Sequence, residues 1–188
     1  LMIRRPPRST HCISSAAPDV YKRQGICKGS GMIYPNMATM LAFIAVDINI
    51  PHDLLNELIS EVCEKSFNCI SVDGDTSTND SFILMSIPSN KDFTLKKNSE
   101  EYQKIKSAIF DVASFLAQSI IRDGEGATKF LTISVTKSLS HSEAKTIGMA
   151  IANSPLVKTA FFASDANLGR VLSAIGNSQV DDLDLNKI

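Results

Sequence analysis

The sequence has no tryptophan, three tyrosines and three histidines among 188 residues. The histidines (11, 52 and 141) are scattered, and the four cysteines (12, 27, 63 and 69) form no C-x-x-C pair. Such spacing offers no metal site and no disulfide framework, and it points to a reducing, intracellular setting. No apolar run approaches the length of a membrane span, so no membrane partner is expected. A formal net charge of −1 removes the electrostatic case for nucleic acid. Gly29-Ser-Gly31 lacks Walker spacing, so phosphate binding is not indicated. No motif supports Ser-His-Asp catalysis, and His52 and His141 read as surface residues at helix starts. What is present is ordinary in bulk: 44% hydrophobic and 21% charged residues suit a globular chain with a real core.

Charge is unevenly spread. Residues 1–24 carry five basic residues and one acid, whereas the remainder carries 14 basic and 19 acidic residues. The first 24 residues show no periodicity that would bury a face. They are Arg- and Ser-rich and acid-poor, as organellar transit peptides are, which would make the address mitochondrial. The string also resembles translated sequencing adapter, and the change at Gln24–Gly25 is abrupt. On that reading the segment is non-native and disordered, and it stays outside the fold argument. A short disordered basic tail is the plainer alternative.

The most informative stretch is Gly25-Ile-Cys-Lys-Gly-Ser-Gly-Met-Ile-Tyr-Pro-Asn-Met-Ala-Thr-Met-Leu-Ala-Phe43. Glycines at 25, 29 and 31 permit backbone shapes that other residues resist. Pro35-Asn36 is a turn signal. Met40–Val46 reads as a buried strand. Thr39 therefore stands at the mouth of a strand, just after a bend. By residue type it is an ordinary β-branched residue entering that strand. Its hydroxyl is a weak nucleophile that needs a nearby base. As a chain's first residue it would bring one, an α-amine with a pKa of roughly 7.7–8.0.

Further along, Pro51 opens a helix, with Leu54, Leu55, Leu58, Ile59 and Val62 forming one apolar stripe. A loop spans Asp73–Asp80, where Asp and Asn suit side-chain turns. Ser81–Ile87 reads as a second buried strand. Ser99 caps a long amphipathic helix carrying Tyr102, Ile105, Ile109, Val112, Leu116 and Ile120, ended by Asp123-Gly124. Phe130–Val135 alternates as a half-buried strand, residues 142–153 form a helix, Val157–Phe162 a strand, and Asn167–Ile175 a short helix. This β-α order alone suggests a parallel α/β sheet. Lys28, between the glycines at 25 and 29, can meet a carboxylate as a compact point charge; a solvated surface lysine is the alternative. Glu125, between Gly124 and Gly126, can reach a pocket from a bend or simply face water.

Lys28-Gly-Ser-Gly-Met-Ile33, Pro35-Asn-Met-Ala-Thr-Met-Leu41, Asp73-Gly-Asp-Thr-Ser-Thr-Asn-Asp80 and Arg122-Asp-Gly-Glu-Gly-Ala-Thr-Lys129 occur in that order. Together they closely resemble the ornithine acetyltransferase family, the bifunctional glutamate N-acetyltransferases of arginine biosynthesis, from Gly25 to about Ser178. The resemblance implies stacked sheets between helix layers, an α-β-β-α sandwich. It implies self-cleavage between Ala38 and Thr39, with Thr39 as nucleophile. It further implies acetyl transfer from N-acetylornithine to glutamate through acetyl-Thr39, with Lys28, Thr39 and Glu125 binding substrate. No metal or cofactor is implied, although acetyl-CoA is a conceivable second donor.

On this reading residues 25–38 end an α segment and 39–188 are a truncated β chain. The family's Thr-Gly oxyanion pair and C-terminal substrate contacts would lie elsewhere, so these 188 residues alone are expected to be inactive. The implied assembly is an α2β2 heterotetramer with a separate α chain, and the implied compartment is cytoplasmic. Two departures stand out. Asp165-Ala-Asn-Leu-Gly-Arg170 replaces the family's Asp-Pro-Asn-Trp-Gly-Arg, and Cys27 replaces a small residue such as alanine. Alternatives from other classes are a self-cleaving amidase or aminopeptidase, and a non-catalytic remnant.

Overall fold

Leu41-Ala-Phe-Ile-Ala-Val46 alternates around a pleat, and in the computed structural model it forms strand β3 (Leu41–Val46), with every second residue buried. The structure describes residues 11–16 (backbone), 22–29, 32–34, 40–76, 79–87, 94–124, 126–180 and 183. They divide into two compact units, Leu1–Glu125 and Gly126–Ile188.

The first unit holds a four-stranded sheet in chain order: β1 (His11–Ala16), β2 (Lys22–Lys28), β3 and β4 (Ser81–Ser86). β1·β2 and β2·β3 are antiparallel, and β3·β4 is parallel. The parallel pair needs a crossover. Helix α1 (His52–Lys65) and a 3-10 turn (Phe67–Cys69) supply it. Helix α2 (Glu100–Arg122) follows, with Ser99 accepting from the Tyr102 amide as its N-cap. Its expected stripe is fully buried: Tyr102, Ile105, Ile109, Val112, Leu116 and Ile120 join Leu54, Leu58, Val62, Ile44, Val46, Phe82 and Leu84 in one core.

The opposite sheet face has an apolar centre, bounded by the polar residues Gln24, Lys28 and Ser81. Ile26, Phe43 and Ile83 lie in one row across β2, β3 and β4, and Ala45 and Met85 lie in the next. Ile26, Ile83 and Met85 are each more than a third exposed.

Glu61 on α1 ties the two helices together, receiving bonds from Lys106 of α2 and Lys65 of its own helix. Lys106 first, then Lys65, hold its pKa below the ordinary carboxylate value. A depressed carboxylate stabilises the fold above its unfolded pKa and ceases to do so as pH falls through its folded pKa. Because Glu61 is about a third exposed, the effect is modest, about 0.5 kcal/mol. Glu61→Gln is expected to lower stability by that amount at neutral pH. In urea titrations the gap from wild type should close below about pH 4.5, the ordinary value.

The second unit contains α3 (His141–Asn153), α4 (Pro155–Phe162) and α5 (Leu168–Gly176) around Ile147, Ile151, Val157, Ala174 and Ile175. His52 and His141 open α1 and α3 and are exposed, as expected.

Three expectations are corrected. The strand expected over Val157–Phe162 is helix α4. Ser154 accepts from the Val157 amide and Pro155 fills the first turn, a helix-opening pair that outweighs a short apolar run. The segment Phe130–Val135 is irregular chain rather than the expected strand, although Ile133 and Val135 pack on the unit's core. Residues 1–24, expected to lack regular structure, contribute β1 and the start of β2. Ladder bonds to a neighbouring edge use main-chain groups and so need no side-chain periodicity. Only one sheet forms among the described residues, so the structure carries a mixed α/β fold without the second layer of a sandwich. No helix among these residues is long and apolar enough to cross a membrane.

Candidate active site

The antiparallel turn from β2 to β3 places the end of one strand beside the start of the other. Lys28, the last residue of β2, is exposed and pairs with Leu41, and Leu41 pairs in turn with Ser81 at the start of β4. Helix α2 packs over this end. A Cβ on Gly25 would fall 2.7 Å from Leu116 Cδ1 and 2.8 Å from Val112 Cγ1. One on Gly29 would fall 3.3 Å from Met40 Cβ and 3.4 Å from Ile120 Cγ2. Neither glycine has a left-handed backbone, so their role is close approach rather than unusual torsion. Cys27, the departure noted above, is buried, and its thiol donates to Leu116 O at 3.5 Å.

The Asp73–Asp80 loop clasps the connection from both sides. Asp73 accepts from the Met32 amide at 2.7 Å and the Ile33 amide at 2.9 Å. It also accepts from the Asp75 amide at 3.1 Å, the side-chain turn expected of this loop. Met32 has φ of 53°, a left-handed backbone that L residues rarely adopt, so its amide needs a firm anchor. Val72 N–H donates to Ile33 O at 2.6 Å, and Thr76 Oγ1 donates to Tyr34 O at 3.2 Å. At the far end, Asp80 Oδ1 accepts from the Met40 amide at 2.5 Å, and Ser81 N–H donates to Met40 O at 3.0 Å. Burial pushes the Asp80 carboxyl above its ordinary pKa, and the Met40 amide partly offsets that.

Asp73→Ala is expected to free three amides at once. Charge-assisted bonds contribute about 1.5–3 kcal/mol each when shielded, and less at an exposed carboxylate such as this one. Amide exchange at Met32 and Ile33 is expected to accelerate by about tenfold or more, while the α2 amides keep their rates. Unchanged exchange at Met32 and Ile33 would exclude the clasp.

Ala38, Thr39 and Glu125 lie outside the described residues. Their chain neighbours share one end of the fold. Met40 immediately precedes β3, and Asp123 caps the end of α2 whose Ile120 packs by Gly29. Lys28 stands at the same sheet end. Sequence reasoning missed the Asp73 and Asp80 clasps, whose partners lie about 40 residues away. The signal available was an aspartate at each end of a Ser/Thr/Asn-rich loop. Among the described residues no cluster of His, Cys, Asp and Glu is arranged to hold a metal ion.

In the second unit, Asn167 accepts from the Arg170 amide and caps α5, and Arg170 Nη1 donates to Leu156 O at 2.9 Å. Leu168 is 68% exposed, so within this unit it does not fill the buried place expected for a tryptophan. Lys129 donates to the carbonyls of Phe161 and Phe162 at the end of α4 and to Ser164 Oγ, a cation at a helix C-terminus.

A mixed α/β protein, with polar anchors gathered at one sheet end under a long helix, is the class that fold and site define. The ArgJ family model matches residues 8–188, and the chain belongs to that family. It is 54% identical over 170 residues to the arginine biosynthesis bifunctional protein ArgJ of Colwellia psychrerythraea, covering 87% of this chain and 40% of that protein. It is 47% identical over 184 residues to the protein of that name from Methylococcus capsulatus, covering 98% and 45%. The crystal structure of the arginine biosynthesis bifunctional protein argJ from Bacillus halodurans superposes with a TM-score of 0.65 at 38% identity, over 72% of this chain and 63% of that one. The chain thus spans less than half the length of these curated relatives.

Proposed function

We propose that this chain is part of a self-cleaving N-acetyltransferase of arginine biosynthesis, moving acetyl from N-acetylornithine to glutamate through acetyl-Thr39. Membership of the ArgJ family carries this reading, and its relatives are named arginine biosynthesis bifunctional proteins. The convergence of Lys28, the start of β3 and the end of α2 supports it.

In the proposed cut, Thr39 Oγ1 attacks the Ala38 carbonyl. The acyl group moves from nitrogen to oxygen, and the hydroxyl proton ends on the departing nitrogen. Water then splits the ester, leaving an Ala38 carboxylate and a Thr39 with free hydroxyl and α-amine. The amine serves as base when Oγ1 attacks the acetyl carbonyl of N-acetylornithine. Ornithine leaves with a proton on its nitrogen, and the glutamate amine takes the acetyl group from Thr39. Lys28 holds the α-carboxylate common to both substrates, and Glu125 meets the cationic end of ornithine. Acetyl-CoA is a further candidate donor in place of N-acetylornithine, and no bound cofactor takes part.

Residues 25–38 then end an α segment, and 39–188 belong to a β chain, the two pairing as an α2β2 heterotetramer. We propose that a second sheet covers the apolar face bearing Ile26, Phe43, Ile83 and Met85, completing an α-β-β-α sandwich. A sheet face open to water is ordinarily polar, so an apolar row there favours a covering layer. An oxyanion hole contributed by chain outside these 188 residues would leave them alone inactive, since one lost donor costs about a hundred- to a thousand-fold.

Denaturing mass spectrometry of the complete gene product tests the reading. After incubation with N-acetylornithine, a chain beginning at Thr39 and bearing one acetyl group is expected, and glutamate should discharge it. A single uncut chain would refute the proposal, and substrate hydrolysis without transfer would favour an amidase.

A further inference from the structure

Lys28 is the last residue of β2 and stands exposed at the sheet end. A lysine carries its charge on a flexible four-carbon stem, so the backbone beneath it decides where the ammonium group can reach. That backbone is wedged. A Cβ on Gly29, the next residue, would fall 3.3 Å from Ile33 Cδ1, 3.3 Å from Met40 Cβ and 3.4 Å from Ile120 Cγ2. Ile120 is fixed by α2 and Met40 by its place before β3. Ile33 is completely buried yet belongs to neither strand nor helix. Asp73 holds it instead, Oδ1 accepting from the Ile33 amide at 2.9 Å and Oδ2 from the Met32 amide at 2.7 Å. Val72, beside Asp73, donates its N–H to Ile33 O at 2.6 Å. Met32 has φ of 53°, a backbone that an L residue keeps only where its surroundings hold it.

We propose that Asp73 is a positioning residue for substrate binding, setting through Ile33 and Gly29 where Lys28 meets the substrate α-carboxylate. The proposal rests on the reading of Lys28 as the carboxylate-binding lysine. Asp73 touches no substrate and makes or breaks no covalent bond. Its influence runs through space, from carboxylate to amide, then from a buried side chain to the glycine beside the lysine. Two successive amides need two acceptor oxygens, which aspartate has and asparagine lacks. In Asp73→Asn one amide faces an NH2 group, and Ile33 is released to shift against Gly29.

The α-carboxylate lies away from the acetyl carbonyl that reacts, so its bond to Lys28 is alike in ground state and transition state. Losing such uniform binding raises KM and leaves kcat unchanged. A merely structural clasp behaves otherwise. Its loss lowers the fraction of folded enzyme, which lowers the apparent kcat and leaves KM unchanged.

The test uses the complete gene product with Lys28→Ala, Asp73→Asn and the double variant, and reads KM and kcat for N-acetylornithine and glutamate. Lys28→Ala is expected to raise both KM values by about tenfold to a hundredfold, the worth of one charge-assisted bond. Asp73→Asn is expected to raise both by about tenfold, with kcat within about threefold of wild type. On top of Lys28→Ala, Asp73→Asn should add less than about twofold, because the group it positions is gone. If Lys28→Ala raises KM while Asp73→Asn leaves it unchanged, or if the two effects multiply, Asp73 has no such role and the reading of Lys28 stands. If Lys28→Ala leaves KM unchanged, the reading of Lys28 falls and this proposal falls with it. Should Asp73→Asn fail to fold, Ile33→Val decides, since it removes the Cδ1 beside Gly29 and keeps both amide bonds. A rise of about threefold in both KM values at wild-type kcat is expected for it, and unchanged KM would overturn the proposal.

Discussion

Thr39→Ala is expected to abolish both the cut and acetyl transfer, with kcat/KM falling about a million-fold, the scale seen when a serine hydrolase loses its nucleophile. The argument runs through one oxygen. Both proposed steps form a bond to Thr39 Oγ1, and a methyl group has no lone pair to offer. Oγ1 and the α-amine act as a unit, so blocking the cut alone should cost nearly as much as removing the hydroxyl. Thr39→Ser keeps that oxygen and should retain the cut, losing about tenfold in rate through the freer rotamer of an unbranched side chain. Denaturing gels read the cut, and coupled assay of N-acetylglutamate reads the transfer. A Thr39→Ala protein that is cut and active would remove the nucleophile assignment.

Phe67→Ala is expected to lower stability by about 3–5 kcal/mol, the range for emptying a buried aromatic site. Phe67 is completely buried in the 3-10 turn after α1. Its ring meets that of Phe82 on β4 with centroids 5.0 Å apart and planes tilted by 56°. Such pairs add about 0.5–1.5 kcal/mol beyond burial. The site has little room to collapse, because the turn is pinned by the Cys69 and Ile70 amides to Ser66 O and Phe67 O. For a unit of this size the change corresponds to a fall of about 10–20 °C in Tm. Phe67→Leu should recover more than half of it. Calorimetry showing a shift below about 3 °C for Phe67→Ala would contradict the packing assigned to this turn.

The sequence exposed the parts of this fold that depend on local periodicity. The stripe from Tyr102 to Ile120 and the Ser99 cap determine α2 within a residue, because both signals lie inside one segment. β3 and β4 are legible for the same reason. Val157–Phe162 misleads because a short run carrying Val157, Ala160, Phe161 and Phe162 fits strand or helix equally, and the deciding Ser154-Pro155 pair lies just outside the run. β1 has no pattern to read, since main-chain ladder bonds carry its pairing. At the candidate site, motif resemblance marks Lys28, Thr39 and Glu125. The Asp73 and Asp80 clasps escape any local reading, because each bond joins residues about 40 apart in sequence. The single parallel pairing, β3·β4, is likewise a long-range fact that the alternating β-α order overstated.

β2 and β3 pair residue for residue from Arg23↔Val46 to Lys28↔Leu41, in the middle of the sheet and under α2. A cut before Thr39 assigns these two strands to different polypeptides. The seam between the pieces of the proposed cut would then be a former interior, matched as a domain core is matched, with Gly25 seated against Leu116 and Val112. Neither piece has a surface shaped for water along that seam. On the proposed cut the two pieces fold against each other, and they should remain together on dilution. Genes encoding the two pieces separately should give soluble protein when expressed together and aggregates when expressed apart.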